Sequence, residues 1–366
     1  MYIGSCCRRQ LLRPQQRYCG ILPALVKRIA SFSASSPPAS SSSQNMMLSG
    51  LCNDVMVRVV SLREIIEALI VKNNLTTQAS KALAEVMLST VLMGGGLKDS
   101  ETLQVQVVGT STADPNALRN VTCIVDGNCK VRGRVGNPNC DTGHADASTT
   151  DLLGRDGRLH ISRHHPSYKQ PMSGIVELRP DTLSHNLARY VRESEQRECV
   201  IFTDVSTSGT ACHHALAVLM EHLPRVKRES TDLARRNLTR IEQKGLVSYL
   251  EGHSGAEEGA LEAALDQIRR DCFADMSASN AGVGNDYKTG DADNHLKWKK
   301  HVEYSCTCGV EKVWRTLRML PMDEIRDILD KNECPVAIKC DFCGNAYSVP
   351  LAAIRRDILE AADARA

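Results

Sequence analysis

Apolar and polar positions alternate with two different periods along this chain, and each change of period marks a new element. Leu62, Ile65, Ile66, Leu69 and Ile70 recur at helical spacing. A second helix is predicted after Thr76-Thr77, running through Leu83, Val86, Met87 and Val91 to a stop at Gly94-Gly95-Gly96. LQVQVVG then alternates strictly, with Leu103, Val105 and Val107 on one face and Gln104 and Gln106 on the other, as a half-buried strand does. VTCIV, ending at the Asp126-Gly127 turn, and KVRGRV from Lys130 read as further strands, as do RLHIS around His160, SGIVELR around Val176 and ECVIFTDV around Ile201. Helices are expected from Thr182 to Glu195 and from Thr210 to His222. Strands and helices mixed with short turns predict an α+β core domain over residues 54–224.

The pattern thins after Pro224. VKRESTDLARRNLTRIEQKG is dense in charge, with Leu233, Leu238 and Ile241 as its apolar support. EEGALEAALDQIRRDC places Leu261, Leu265, Ile268 and Cys272 on one helical stripe. Glu257 and Glu258 stand near its start and Arg269 and Arg270 near its end, which suits the helix macrodipole. SASNAGVGNDYKTGDADN, after Met276, is polar and Gly-rich, the composition of a disordered insertion. Residues 225–300 therefore read as a metastable helical linker, either a solvated spacer or a segment that folds only when docked.

The N-terminus has a different character. Residues 1–53 contain no Asp or Glu but carry Arg8, Arg9, Arg13, Arg17, Lys27 and Arg28, followed by SFSASSPPASSSSQ. An Arg-rich, Ser-rich, acid-free start is the signature of an organelle transit peptide, so residues 1–50 are expected to be a leader. A mitochondrial address is favoured, with plastid or cytoplasm as alternatives. ILPALV is too short for a secretory signal and is broken by Lys27-Arg28.

Composition narrows the function classes. The chain has 366 residues, and a single core rarely grows past roughly 250–300, so at least two folded units or one unit with tails are expected. Lys+Arg is 45 against 43 Asp+Glu, and without the leader 39 against 43, which opposes a nucleic-acid binder. Aromatics at 4% are too few for a base-stacking surface. No apolar run approaches the ~20 residues that span a bilayer. There is no G-x-x-x-x-G-K-[ST], G-x-S-x-G or H-E-x-x-H motif, so neither ATP chemistry nor a recognisable catalytic set is read.

Cysteine carries the strongest signal. Three of the 15 lie in the leader. Cys123, Cys129, Cys140 and His144 are irregularly spaced, which favours buried thiols over a second metal site. At the C-terminus, Cys306-Thr307-Cys308 and Cys340-Asp341-Phe342-Cys343 are two close-set pairs separated by residues 309–339. Such pairs form a Cys₄ tetrahedral zinc set. Iron–sulfur ligation fits less well, because a C-x-C pair matches none of the ferredoxin runs. Cys334 is left over as a competing ligand. Val313, Leu317 and Leu320, then Met322, Ile325, Ile328 and Leu329, predict two short helices between the pairs. A unit of this size, residues 301–350, rarely folds without a metal or a disulfide, and residues 351–366 are expected to be a tail.

CTC at 306–308, LPMDEIRDIL at 320–329 and CDFCGNAY at 340–347 resemble the 33 kDa heat-shock protein family of redox-regulated chaperone holdases. Weaker echoes lie at LQVQVVG, GRDGRLHIS and RESEQ at 192–196. The resemblance implies an ATP-independent activity that is off while one Zn²⁺ is held by Cys306, Cys308, Cys340 and Cys343. It implies that oxidation pairs Cys306 with Cys308 and Cys340 with Cys343, releases zinc and unfolds the linker. Leu233, Leu238, Ile241, Leu261, Leu265 and Ile268 then become available to unfolded client proteins, and the family pairs as homodimers when active. Three other readings stand beside it: a zinc-ribbon nucleic-acid module, a thiol–disulfide oxidoreductase using C-D-F-C, and a permanent structural zinc. In the oxidoreductase the C-x-x-C pair should open a helix, whereas Gly344-Asn345-Ala346-Tyr347 suggests a turn into a strand.

Overall fold

The core begins at Met46. The structure, a computed structural model, describes residues 2–4, 44–110, 114–143, 147–154, 156–224, 226–251, 259–276, 296–332 and 335–360. Its chain divides into two units, one of residues 42–306 and one built on residues from Thr307 onward. Strand Met46–Cys52 pairs antiparallel with Val55–Ser61 and is buried along its length. This corrects the expected leader boundary at residue 50 and the expected core boundary at residue 54. The strand has no charged residue because both its faces are covered, and the acid-free composition of residues 1–43 runs into it unnoticed. Residues 5–43 lie outside the described residues.

The larger unit holds two sheets. One runs in the order Leu296–His301, Met46–Cys52, Val55–Ser61, Ala211–His222, Cys199–Ser208, with every neighbour antiparallel. The other runs Glu303–Tyr304, Lys130–Val135, Asn120–Asp126, Thr102–Val108, Arg158–His164, Met172–Glu177. Its first pairing is parallel and the rest are antiparallel. Thr102–Val108 alternates half-buried and buried positions, as its sequence requires. Helix Thr77–Gly94 packs against strands of both sheets and is buried almost throughout, with Thr76 Oγ1 accepting the Ala79 N–H at its start. Helices Arg63–Asn73 and Leu183–Glu195 complete this layer.

The expected helix at 210–222 is a strand, Ala211–His222. It is paired on both edges, and its apolar residues divide between two cores. Ala215, Ala217 and Leu219 face the helix layer, while Leu216, Val218 and Met220 face the opposite side. A strand buried on both faces reads as a continuous apolar run, so periodicity cannot distinguish it from a helix.

The opposite side of the five-stranded sheet is covered by the expected linker. Helices Arg228–Lys244, Val247–Glu251 and Ala260–Cys272 lie there. Leu238, Ile241, Leu265 and Ile268 are buried in one cluster with Met46, Leu48, Val57, Val59, Leu216 and Val218, and half-buried Leu233 and Leu261 pack against it. Polar contacts fix the cover. Asp204 on the sheet accepts the Val247 N–H at 3.1 Å with one oxygen and pairs with His214 Nε2 at 2.8 Å through the other. That His214 contact is the main force holding the Asp204 carboxyl below its usual pKa. Asn237 Nδ2 donates to the Cys272 and Ala274 carbonyls, tying two of the helices together. Arg269 lies across the sheet where Gly50 has no side chain; a Cβ there would stand 2.9 Å from Arg269 Cδ.

Two further boundaries shift. Residues 296–300, expected in the linker, form part of an edge strand of the core sheet. Residues 351–360, expected as a tail, are helical, and Ile354 and Ile358 are buried in the smaller unit's own core. The polar insertion at 277–294 and the tail residues 361–366 lie outside the described residues. No helix among the described residues is long and apolar enough to cross a membrane.

Leu265→Ala removes a fully buried side chain from the linker side of the sheet. It should cost about 2–5 kcal/mol, read as faster amide hydrogen exchange across residues 260–272 with the helix layer between the sheets unchanged.

Candidate metal centre

The smaller unit is a small apolar core with a thiol cluster beside it. Helices Val310–Arg318 and Met322–Lys331 supply Val313, Leu317, Ile325 and Leu329. The hairpin Val336–Lys339 and Ala346–Val349 supplies Val336, Ile338 and Val349. Residues Tyr2–Gly4 pair with the outer edge of Val336–Lys339. The two helices stand where the stripes of the sequence predict them, with the break at Leu320-Pro321.

The hairpin loop aligns one cysteine pair. The Gly344 N–H donates to the Cys340 carbonyl at 2.8 Å, and the Cys340 N–H donates to the Asn345 carbonyl at 2.9 Å. Gly344 has φ +71°, a left-handed value that glycine adopts without steric cost. This closed turn presents Cys340 and Cys343 to the same side, and both are buried. The other pair, Cys306 and Cys308, is half-buried and ends just before helix Val310–Arg318. One sulfur from each of the four cysteines lies within 4.8 Å of all the others, and Cys308 Sγ stands 3.3 Å from Cys343 Sγ. The four predicted ligands therefore converge on a volume that one metal ion can occupy.

Tyr347, on the second strand of the hairpin, is a member of the site that sequence reasoning missed. Its hydroxyl donates to Cys308 Sγ at 3.0 Å. Burial, and then the bond to Cys308, hold its pKa above the usual phenol value, so it stays a donor. Its position four residues after Cys343 is the only trace in the sequence. The C-D-F-C pair is followed by a turn and a strand, not by a helix. Cys334 lies outside the described residues.

The other described cysteines are a separate population. Cys52, Cys123, Cys129, Cys140, Cys199, Cys212 and Cys272 are buried free thiols in the two cores of the larger unit. Burial pushes Cys52 and Cys140 up to about 11 and Cys199 and Cys212 up to about 12. It raises Cys123, Cys129 and Cys272 as well. His144 lies outside the described residues. Of the six apolar linker residues expected to meet clients, Leu238, Ile241, Leu265 and Ile268 are buried on the sheet and Leu233 and Leu261 are half-buried against them, not on an open surface.

Known proteins are similar to this chain. The family model for Hsp33 protein matches residues 47–350. The 33 kDa chaperonin of Gloeothece citriformis is 27% identical over 300 residues, spanning 80% of this chain and 88% of its own. That of Trichodesmium erythraeum is 26% identical over 281 residues, 75% of this chain and 80% of its own. The crystal structure of the 33 kDa chaperonin from Thermotoga maritima shares the fold, with a TM-score of 0.66 at 19% identity over 87% of this chain and 99% of that one. The matched span starts inside the first core strand and ends one residue past the hairpin that carries Cys340 and Cys343. The chain belongs to the Hsp33 family.

Proposed function

We propose that this protein is an ATP-independent holdase chaperone, not an enzyme, kept inactive by one zinc ion on Cys306, Cys308, Cys340 and Cys343 and activated when these thiols are oxidised. The observation that carries this reading is the convergence of all four sulfurs within 4.8 Å. A tetrahedron with Zn–S bonds of about 2.3 Å has edges of about 3.8 Å, which this cluster accommodates. Four sulfur donors with no carboxylate suit zinc better than magnesium or calcium. Bound zinc would hold the four sulfurs as thiolates and tie a unit too small to be stable on its core alone.

The chain's own residues then account for the switch. Thiolates are the form that peroxide oxidises. One thiolate of a pair takes the terminal oxygen of peroxide as sulfenic acid. The other displaces that oxygen as water and forms the S–S bond, two electrons passing from sulfur to peroxide for each disulfide. The family resemblance pairs Cys306 with Cys308 and Cys340 with Cys343, and sequence proximity supports it. With its thiolates consumed, the smaller unit loses a metal contribution of ~10–16 kcal/mol in comparable small domains. The linker, with its apolar residues set on a charged frame, is the part of the larger unit least able to hold its place. Its departure exposes Leu238, Ile241, Leu265 and Ile268 together with the sheet beneath them, an apolar surface fit for unfolding clients. Homodimers of the oxidised chain belong to the same reading.

The acid-free composition of residues 1–43, together with a core that starts at Met46, supports a mitochondrial leader. Residues 1–43 fused to a fluorescent protein should carry it into mitochondria; a diffuse cytoplasmic signal overturns this address.

The reduced protein should bind one zinc per chain and leave a heat-denatured client to aggregate. After peroxide with mild heat it should release the zinc, carry the 306–308 and 340–343 disulfides by peptide mapping, and suppress aggregation without ATP. Retained zinc, or equal protection in both states, sinks the switch. A Cys308–Cys343 bond would overturn the pairing alone. Tyr347→Phe removes the hydroxyl that orients Cys308 and should weaken zinc about 10–100-fold in a chelator competition, with faster release under peroxide.

A further inference from the structure

We propose that residues 296–301 are a removable edge strand, and that the edge of Met46–Cys52 beneath them is where an extended segment of an unfolded client adds as a β-strand. The inference rests on the holdase reading above and names the surface that reading leaves unspecified.

The edge strand is bound in a way that favours removal. It lies along Met46–Cys52 in an antiparallel register from Leu296 opposite Leu51 to His301 opposite Met46. Beneath it, Met46, Met47 and Leu48 are almost wholly excluded from solvent. In the edge strand itself Lys297, Trp298, Lys299 and His301 are exposed, Trp298 at 45%. Of these four side chains only Trp298 is apolar, and it is partly exposed. What remains is the backbone ladder and a set of lysine contacts. Lys297 pairs with Asp266 at 3.2 Å and Lys299 with Glu262, while Lys300 Nζ donates to the Gly127 carbonyl. Partly exposed pairs of this kind contribute about 0–1 kcal/mol each.

The same strand is tied to the switch at both ends of its contacts. Asp266 and Glu262 belong to linker helix Ala260–Cys272, so the departure of the helix removes the partners of Lys297 and Lys299. On the other side, only residues 302–305 separate the strand from Cys306. That stretch is held by buried Val302, whose N–H donates to the Asn45 carbonyl, by the two-residue pairing of Glu303–Tyr304, and by the Ser305 N–H on the Val131 carbonyl. When Cys306 leaves the metal set, this short tether loses its downstream anchor.

The surface then bared has one chemistry. An edge strand offers a row of peptide N–H and C=O groups, which any chain in extended conformation can satisfy without a sequence requirement. Flanking side chains of the added strand would lie over Leu48 and Cys52, on the face that helix Ala260–Cys272 and Phe273 now cover. Backbone pairing beside an apolar face suits a holdase that accepts clients of unrelated sequence.

Residue-resolved hydrogen exchange on the full chain tests this, with reduced and carboxymethylated α-lactalbumin as a permanently unfolded probe. In oxidised protein, the amides of 46–52 that point toward 296–301 should exchange at least about tenfold faster, and those that point toward 55–61 should stay protected. The probe should restore protection to the first set. The double variant Lys297→Glu, Lys299→Glu faces Glu262 and Asp266 with like charge. It should open the same amides, and let the probe close them, in the reduced, zinc-loaded state. The inference is overturned if the edge amides stay protected in the variant, or if the probe binds either form without protecting them. Zinc release and aggregation suppression, read on the same samples, report separately on the holdase switch.

Discussion

The five-stranded sheet has two apolar faces, and everything else in the larger unit follows from the need to cover both. One face is closed by the helix layer that it shares with the second sheet. The other is closed by helices drawn from a stretch of chain in which charged residues are nearly as many as apolar ones. A strand such as Ala211–His222, with Ala217 turned one way and Val218 the other, cannot tolerate water on either side without losing several kilocalories of burial. The sheet therefore demands a cover, and the sequence supplies a weak one.

How weak is visible in its contacts. The cover is held by buried Leu238, Ile241, Leu246, Leu265 and Ile268 with Tyr249, Phe273 and Met276, by single carboxylate and amide clamps at Asp204 and Asn237, and by lysine pairs at the sheet edge. It also carries a burden. Arg269 is 2% exposed, and although Asp266 meets its Nε, Nη1 is buried with no hydrogen-bond partner among the described residues. A buried unsatisfied donor costs about 1–3 kcal/mol. The arrangement is what the detachable cover proposed above calls for.

Much of this was legible in the sequence because local rules and tertiary demands agree over most of the chain. The alternation of LQVQVVG and the Thr76 cap with its following helix each have one physical reading, and the two cysteine pairs mark one ligand cluster. The failures share a cause. Ala211–His222 and Met46–Cys52 are buried on both faces, so neither shows the period or the polar residues that would mark it as a strand in a globular core. The edge strand at 296–301 is Lys-rich and short, and edge strands are made that way to discourage pairing, so it passes for linker. Ile354 and Ile358 looked like tail residues because their partners come from the far side of the cysteine hairpin. Tyr347 is found only when the hairpin is folded and its hydroxyl falls on Cys308.

The seven buried thiols of the larger unit give the protein chemical discrimination. At neutral pH a cysteine of ordinary pKa is ionised a few per cent of the time, whereas one raised to about 11, like Cys52 or Cys140, is ionised roughly a hundredfold less. An oxidant therefore distinguishes two classes of sulfur by rate before any geometry is considered. That distinction lasts only while the two cores stay dry. A chain can carry many cysteines and still register oxidation at one place, provided that folding itself keeps the others silent.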